Sequence, residues 1–148
     1  MKFLSFSTMI ILLVFGVYGC RQETQDIPGK PLVDTHWLFS SVEGDTSGIS
    51  DISPRPYLLI RPGEKGLRFQ VFAGCNNMLG HLETDSVSTL RFSRIASTRK
   101  MCPKMDLEDR LSTLLPEING FEINGTSLSL YQDKDLIAGL DAGTHQRH

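Results

Sequence analysis

The sharpest chemistry in this sequence belongs to three cysteines, Cys20, Cys75 and Cys102, and four histidines, His36, His81, His145 and His148. A cysteine can carry a lipid, pair in a disulfide, or attack as a thiolate when a base such as histidine stands beside it. An odd number of cysteines asks for a separate explanation of one of them. Position singles out Cys20. It follows Lys2 and a run from Phe3 to Tyr18 that is apolar except for Ser5, Ser7, Thr8 and Gly16. A charged start, an apolar stretch and small residues near its end describe a secretory signal. The stretch is short for a membrane-spanning helix, which needs roughly 20 apolar residues.

Val17-Tyr18-Gly19-Cys20 resembles the bacterial lipobox, in which the cysteine is lipidated and becomes the new N-terminus. The resemblance implies a signal peptide over 1–19 and acylation of Cys20, with more than one chain and therefore stable anchoring. The alternative is an ordinary cleaved signal or an uncleaved anchor with an incidental cysteine. Arg21 stands where an inner-membrane retention aspartate often sits. The expected address is thus the bacterial envelope, lipid-anchored at the outer membrane and facing the periplasm. Cys75 and Cys102 remain as a pair in an oxidising compartment, where a disulfide is the default. Such a staple should stabilise the fold by roughly 3–4 kcal/mol through the loop it closes. The competing reading makes Cys75 a nucleophile with His81 as its base.

Other chemistry finds little support. His145 and His148 form an H-x-x-H in a tail with nothing to orient a metal. His36 and His81 have no convergent carboxylates at a recognisable spacing. Glu64, Glu83 and Asp85 fall in loops or at strand ends, so no hydrolytic carboxylate pair is indicated. Phosphate-loop, nucleophile-elbow and C-x-x-C patterns do not occur in the sequence. The expectation is a protein without catalytic residues, metal or cofactor.

The elements that would position these residues occupy one domain. The chain has 148 residues, 40% of them hydrophobic and 22% charged, which is a globular composition. Residues 20–33 contain Pro28, Gly29 and Pro31 without apolar periodicity, and read as the lipidated cysteine followed by a flexible tether. Residues 142–148 read as a tail, leaving 34–141 for the fold. Strands are expected over Thr35–Val42, Tyr57–Arg61, Leu67–Ala73 and Leu90–Ile95, with a turn around Gly74–Gly80 and a short segment His81–Thr84. Leu107, Leu111, Leu114, Leu115 and Ile118 make one stripe of a helix, with Asp106 as N-cap and an end near Pro116. Asn124-Gly125 between alternating segments specifies a type I′ hairpin, and Leu136–Leu140 a final strand. Roughly seven strands and one helix give an α+β, mainly antiparallel β domain: a small curved sheet or barrel-like meander with one amphipathic helix.

Phe72-Ala73-Gly74-Cys75-Asn76-Asn77, followed by Gly80, resembles the G-C-N…G signature of the META domain family, the HslJ-like proteins. Thr98, Met101, Cys102, Pro103 and Glu108 are similar to its T-x-M-x-C-P…E segment, with one extra residue between Thr98 and Met101. His81 replaces an aromatic residue common after the second glycine. The resemblance spans about Thr35 to Leu140 and implies a small, often lipid-anchored protein tied to heat shock or antibiotic tolerance, without a general catalytic activity. The motif also has an architectural reading. Gly74 and Gly80 permit an unusual turn, Asn76 bonds its backbone, the two cysteines staple that turn to the helix start, and Glu108 caps or pairs locally.

The charge is unevenly spread. The whole chain carries −2, but Arg55–Lys104 holds nine basic residues against Glu64, Glu83 and Asp85, a balance of +6. The near-neutral total gives no case for nucleic acid. The basic segment is either neutralised by the acidic helix across the fold or forms a sheet face that meets anionic envelope material. The expected partners are a membrane, through the N-terminal lipid, and an envelope protein or anionic glycolipid. The leading expectation is a non-enzymatic, lipid-anchored envelope protein supporting stress tolerance. The alternative is an inhibitor-like module presenting the stapled Gly74–Gly80 loop to a partner.

Overall fold

The computed structural model describes residues 29–103 and 105–143. Cys20, the expected signal segment, most of the expected tether and the tail histidines lie outside the described residues. Eight strands alternate buried and exposed side chains: β1 His36–Val42, β2 Tyr57–Gly63, β3 Gly66–Phe72, β4 Asn77–Thr84, β5 Leu90–Ser97, β6 Gly120–Asn124, β7 Ser127–Gln132 and β8 Asp135–Gly143. All pair antiparallel in one sheet of order β5-β4-β3-β2-β1-β8-β7-β6. The sheet curls until its edges meet at one end. Phe121 N–H donates to Ser88 O at 2.8 Å and Leu90 N–H to Asn119 O at 3.3 Å.

The single α-helix among the described residues, α1 Asp106–Leu114, runs into a 3₁₀ turn, Leu115–Glu117, and carries the chain from the β5 edge to the β6 edge. Leu107, Leu111, Leu115 and Ile118 of the stripe are buried against the concave face, while Leu114 is half-buried. They join Trp37, Phe39, Leu58, Ile60, Phe69, Met78, Phe92, Leu128 and Leu130 in one core. Phe69 meets Phe92 edge-on at 4.8 Å between ring centres. Gly80 lies under the Phe69 ring, where a Cβ would stand 2.5 Å from Phe69 Cε1 and 2.6 Å from Ser93 O. No side chain fits there.

Several details differ from the sequence reading. The turn expected over Gly74–Gly80 is shorter, because Asn77–Gly80 is the first half of β4. Asp106 is the first residue of α1 and not its cap; Met105 holds the cap position without a side-chain bond. The β6–β7 hairpin is displaced by one residue. Asn124 pairs with Ser127, so Gly125 and Thr126 are central, and only Gly125, at φ 58°, has a positive φ. A type I′ turn needs positive φ at both positions, which β-branched Thr126 resists. The ends of the domain are longer than expected. Lys30 N–H donates to Gly125 O at 2.8 Å, Trp37 Nε1 donates to Leu32 O at 3.1 Å, and Leu32 and Val33 pack on the core. At the other end Ala142 and Gly143 complete β8 opposite Trp37 and His36.

Closure at the β5–β6 seam depends on the loop that precedes β5. Asp85 Oδ1 accepts N–H bonds from Val87, Ser88 and Thr89 at 2.9, 3.0 and 2.9 Å, and these hold its carboxyl far below the usual carboxylate range. A lowered folded pKa adds stability that is fully present above the unfolded value of about 4 and drains away as pH falls toward the folded one. Asp85→Asn should therefore flatten the loss of stability between about pH 4 and pH 2, read from denaturant midpoints; an acid limb as steep as the parent's would contradict this role.

Candidate functional site

The motif residues converge where β3, β5 and α1 meet. Gly74 has φ 114°, a left-handed angle that turns the chain out of β3, and a Cβ there would stand 3.0 Å from Ile52 Cγ2. The turn delivers Cys75 to Cys102, and the two form a disulfide with Cα atoms 6.2 Å apart. With its Sγ in that bond, Cys75 holds no thiolate. His81 points to the outer face of β4, paired in register with Arg68 and Ser93. The structure therefore does not assemble a Cys75–His81 nucleophile.

Asn76 is 1% exposed and ties three segments together. Its Oδ1 accepts from Lys100 N–H at 2.7 Å and from the Thr98 hydroxyl at 2.8 Å, and its Nδ2 donates to Lys100 O at 2.9 Å. The Asn76 N–H donates to Glu108 Oε2 at 2.9 Å, reaching the first turn of α1. Thr98 Oγ1 in turn accepts from Asn77 N–H at 3.1 Å. A buried amide satisfied on both ends suits a structural role. The remaining motif residues separate. Pro103 is exposed at the edge of a cleft, Gly80 sits under Phe69, and Met101 is 98% exposed. The Gly74–Gly80 segment is no projecting loop, since Cys75 and Asn76 are buried and Asn77–Gly80 is strand, so it cannot enter a partner's cleft.

The cleft beside the disulfide was not apparent from the sequence. It has a volume of about 730 Å³ and lies between the long β1–β2 loop, Ala73-Gly74, Cys102-Pro103 and the start of α1. Arg110 lines it and ties the loop to α1. Its guanidinium donates to Val42 O at 2.7 Å, to Asp45 Oδ2 at 3.1 Å and to Glu43 Oε2 at 3.3 Å. The Ser47 N–H, with the Ser47 hydroxyl and Arg110, keeps Asp45 below the usual carboxylate range. The sequence did carry one signal for this anchor: Arg110 is the single basic residue between Met105 and Asp133.

The convex face of the sheet is the second distinctive surface. Arg61 stands directly opposite Arg68, Arg68 opposite His81, and Arg91 opposite Glu83. Arg61, Arg68, Arg91 and Arg94 are all exposed. Among the described residues, the ion pairs within 4 Å are those of Arg110 with Glu43 and Asp45. The basic strands are thus not neutralised through contacts with the acidic helix. Beside this row His36 packs on Tyr57 at 4.3 Å and Tyr57 stacks near Phe72 at 5.9 Å. Gln70 Nε2 donates to Tyr57 Oη at 2.7 Å and Asn77 Oδ1 at 2.9 Å, and burial pushes the Tyr57 hydroxyl up. Among the described residues no three His, Cys, Asp or Glu side chains are grouped to hold a metal.

An antiparallel half-barrel bridged by one helix and stapled at a Gly-Cys-Asn turn defines a class of small β-rich domains. The family model of the META domain matches residues 30–142, and the chain belongs to that family. The matched span includes the Lys30–Val33 segment that packs on the domain. Among solved structures, the NMR structure of a protein from Burkholderia xenovorans is similar with a TM-score of 0.61 and 22% identity, over 80% of this chain and 91% of that one. At that identity the likeness speaks for the fold. A search of curated proteins finds no match.

The amide network makes a direct prediction. Asn76→Ala should cost about 1–3 kcal/mol, because it removes the buried amide that bonds the Lys100 backbone and the Thr98 hydroxyl. Asn76→Asp should cost more at neutral pH than near pH 3, since a carboxylate would face Lys100 O and Glu108. Equal denaturant midpoints for parent and both variants would remove the network from the stability of the fold.

Proposed function

We propose that this protein is a non-catalytic, lipid-anchored envelope protein that holds its META domain against anionic glycolipid and so supports stress tolerance. The observation that carries the reading is the row of exposed arginines on adjacent strands. Arg61 and Arg68 face each other across β2 and β3 without an acidic partner within 4 Å among the described residues. Like charges directly opposite in a sheet are unfavourable on their own, and an anionic ligand relieves them. Phosphate groups suit the arginine forks, and sugar faces suit the neighbouring His36–Tyr57–Phe72 rings. The lipobox-like Val17–Cys20 supplies the anchor in this reading, and in the sequence it precedes the first packed residues, Leu32 and Val33, by about a dozen positions. Family membership supports the association with stress or antibiotic tolerance.

The test separates anchor from ligand. Cys20→Ser should release the protein from the membrane fraction, and continued fractionation with membranes would refute lipidation. Binding to vesicles containing lipopolysaccharide should weaken steeply as salt rises from about 0.05 to 0.5 M. Arg68→Glu and Arg91→Glu should each weaken it by about tenfold, on the scale of a reversed charge at an anionic surface. Binding that ignores both salt and these substitutions would overturn the glycolipid reading while leaving the anchor intact.

A further inference from the structure

We propose that the cleft between the β1–β2 loop and α1 binds a cationic amphiphile, an apolar body of about benzyl size carrying an ammonium or guanidinium group. The inner wall is apolar, formed by Ile49, Ile52, Ala73 and Leu107 beside the disulfide. A volume of about 730 Å³ is ample for a small ligand. The lip is acidic on both sides, with Asp45 and Asp51 on the loop and Asp106 on the helix. The lining cation, Arg110, pairs with Asp45 at 3.1 Å and so offsets that carboxylate, leaving Asp51 and Asp106 as the net charge of the lip.

The positive end of α1 does not reverse this sign. Asp106, Glu108 and Asp109 occupy its first turn, and no basic residue lies in its last turn. An entering cation therefore gains from the lip while its apolar body gains from the wall. An anion of the same shape meets repulsion. This site differs in place and in sign from the convex arginine row, and it does not depend on the lipid anchor.

The test uses the full chain, ¹⁵N-labelled in a neutral detergent and titrated with benzylamine, benzyl alcohol and phenylacetate. Benzylammonium should give saturable shifts at the Gly48, Gly74 and Leu107 amides, with Kd about 1 mM. Benzyl alcohol should bind about tenfold more weakly and phenylacetate should leave these amides unmoved. Asp51→Asn and Asp106→Asn should each weaken the ammonium by about fivefold, whereas Glu117→Gln, away from the cleft, should not. Unchanged amide shifts elsewhere in each variant keep folding out of the comparison. Equal binding of the three probes, preference for phenylacetate, shifts mapping to other surfaces, or no saturable shift at all would each overturn the proposal.

Discussion

One buried carboxamide sets the path of the chain through this fold. The side chain of Asn76 binds both backbone groups of Lys100 and the hydroxyl of Thr98, and its backbone reaches Glu108. Asn76 and Glu108 are buried and their bonding groups have partners, so the arrangement tolerates little displacement. The disulfide next to it limits how far the two segments can separate when the network opens. Together they fix how the chain leaves β5 and where α1 starts. That direction is what allows the helix to cross between the sheet edges and place Leu107, Leu111 and Leu115 over the concave face.

Much of this was legible from residue types. Period-two alternation marked β3 and β5, the leucine stripe marked α1, and the two cysteines beyond Cys20 marked the staple. The Gly-Cys-Asn sequence identified the corner, yet composition overstated its length, because Asn77 and Gly80 look like turn residues although they occupy strand positions. Gly80 is there for want of space beneath Phe69, a tertiary fact that leaves no local trace. The partners of Asn76 are equally silent, since two of its four side-chain bonds go to backbone groups of Lys100. Arg110 illustrates the same limit: its shortest bond is to Val42 O, 68 residues away in sequence.

The charge segregation visible in the sequence becomes spatial in the fold. Basic residues of β2, β3 and β5 project from the convex face, while the carboxylates of the β1–β2 loop and α1 gather around the cleft. A molecule with such a separation has an electrostatic front and back, and an anionic surface would orient it before any short contact forms. The near-zero net charge therefore describes neither face.

The pairing of His36 with Gly143 places the start of the first strand beside the end of the last at the middle of the sheet. Strands joined last to first in this way make the domain topologically a closed ring with a nick in it. Adjacent ends are what insertion into a host loop and circular permutation require, because neither then strains the scaffold. In evolutionary terms the unit is portable: it can be spliced into another chain, or repeated in tandem, with its corner, its helix and both of its faces unchanged.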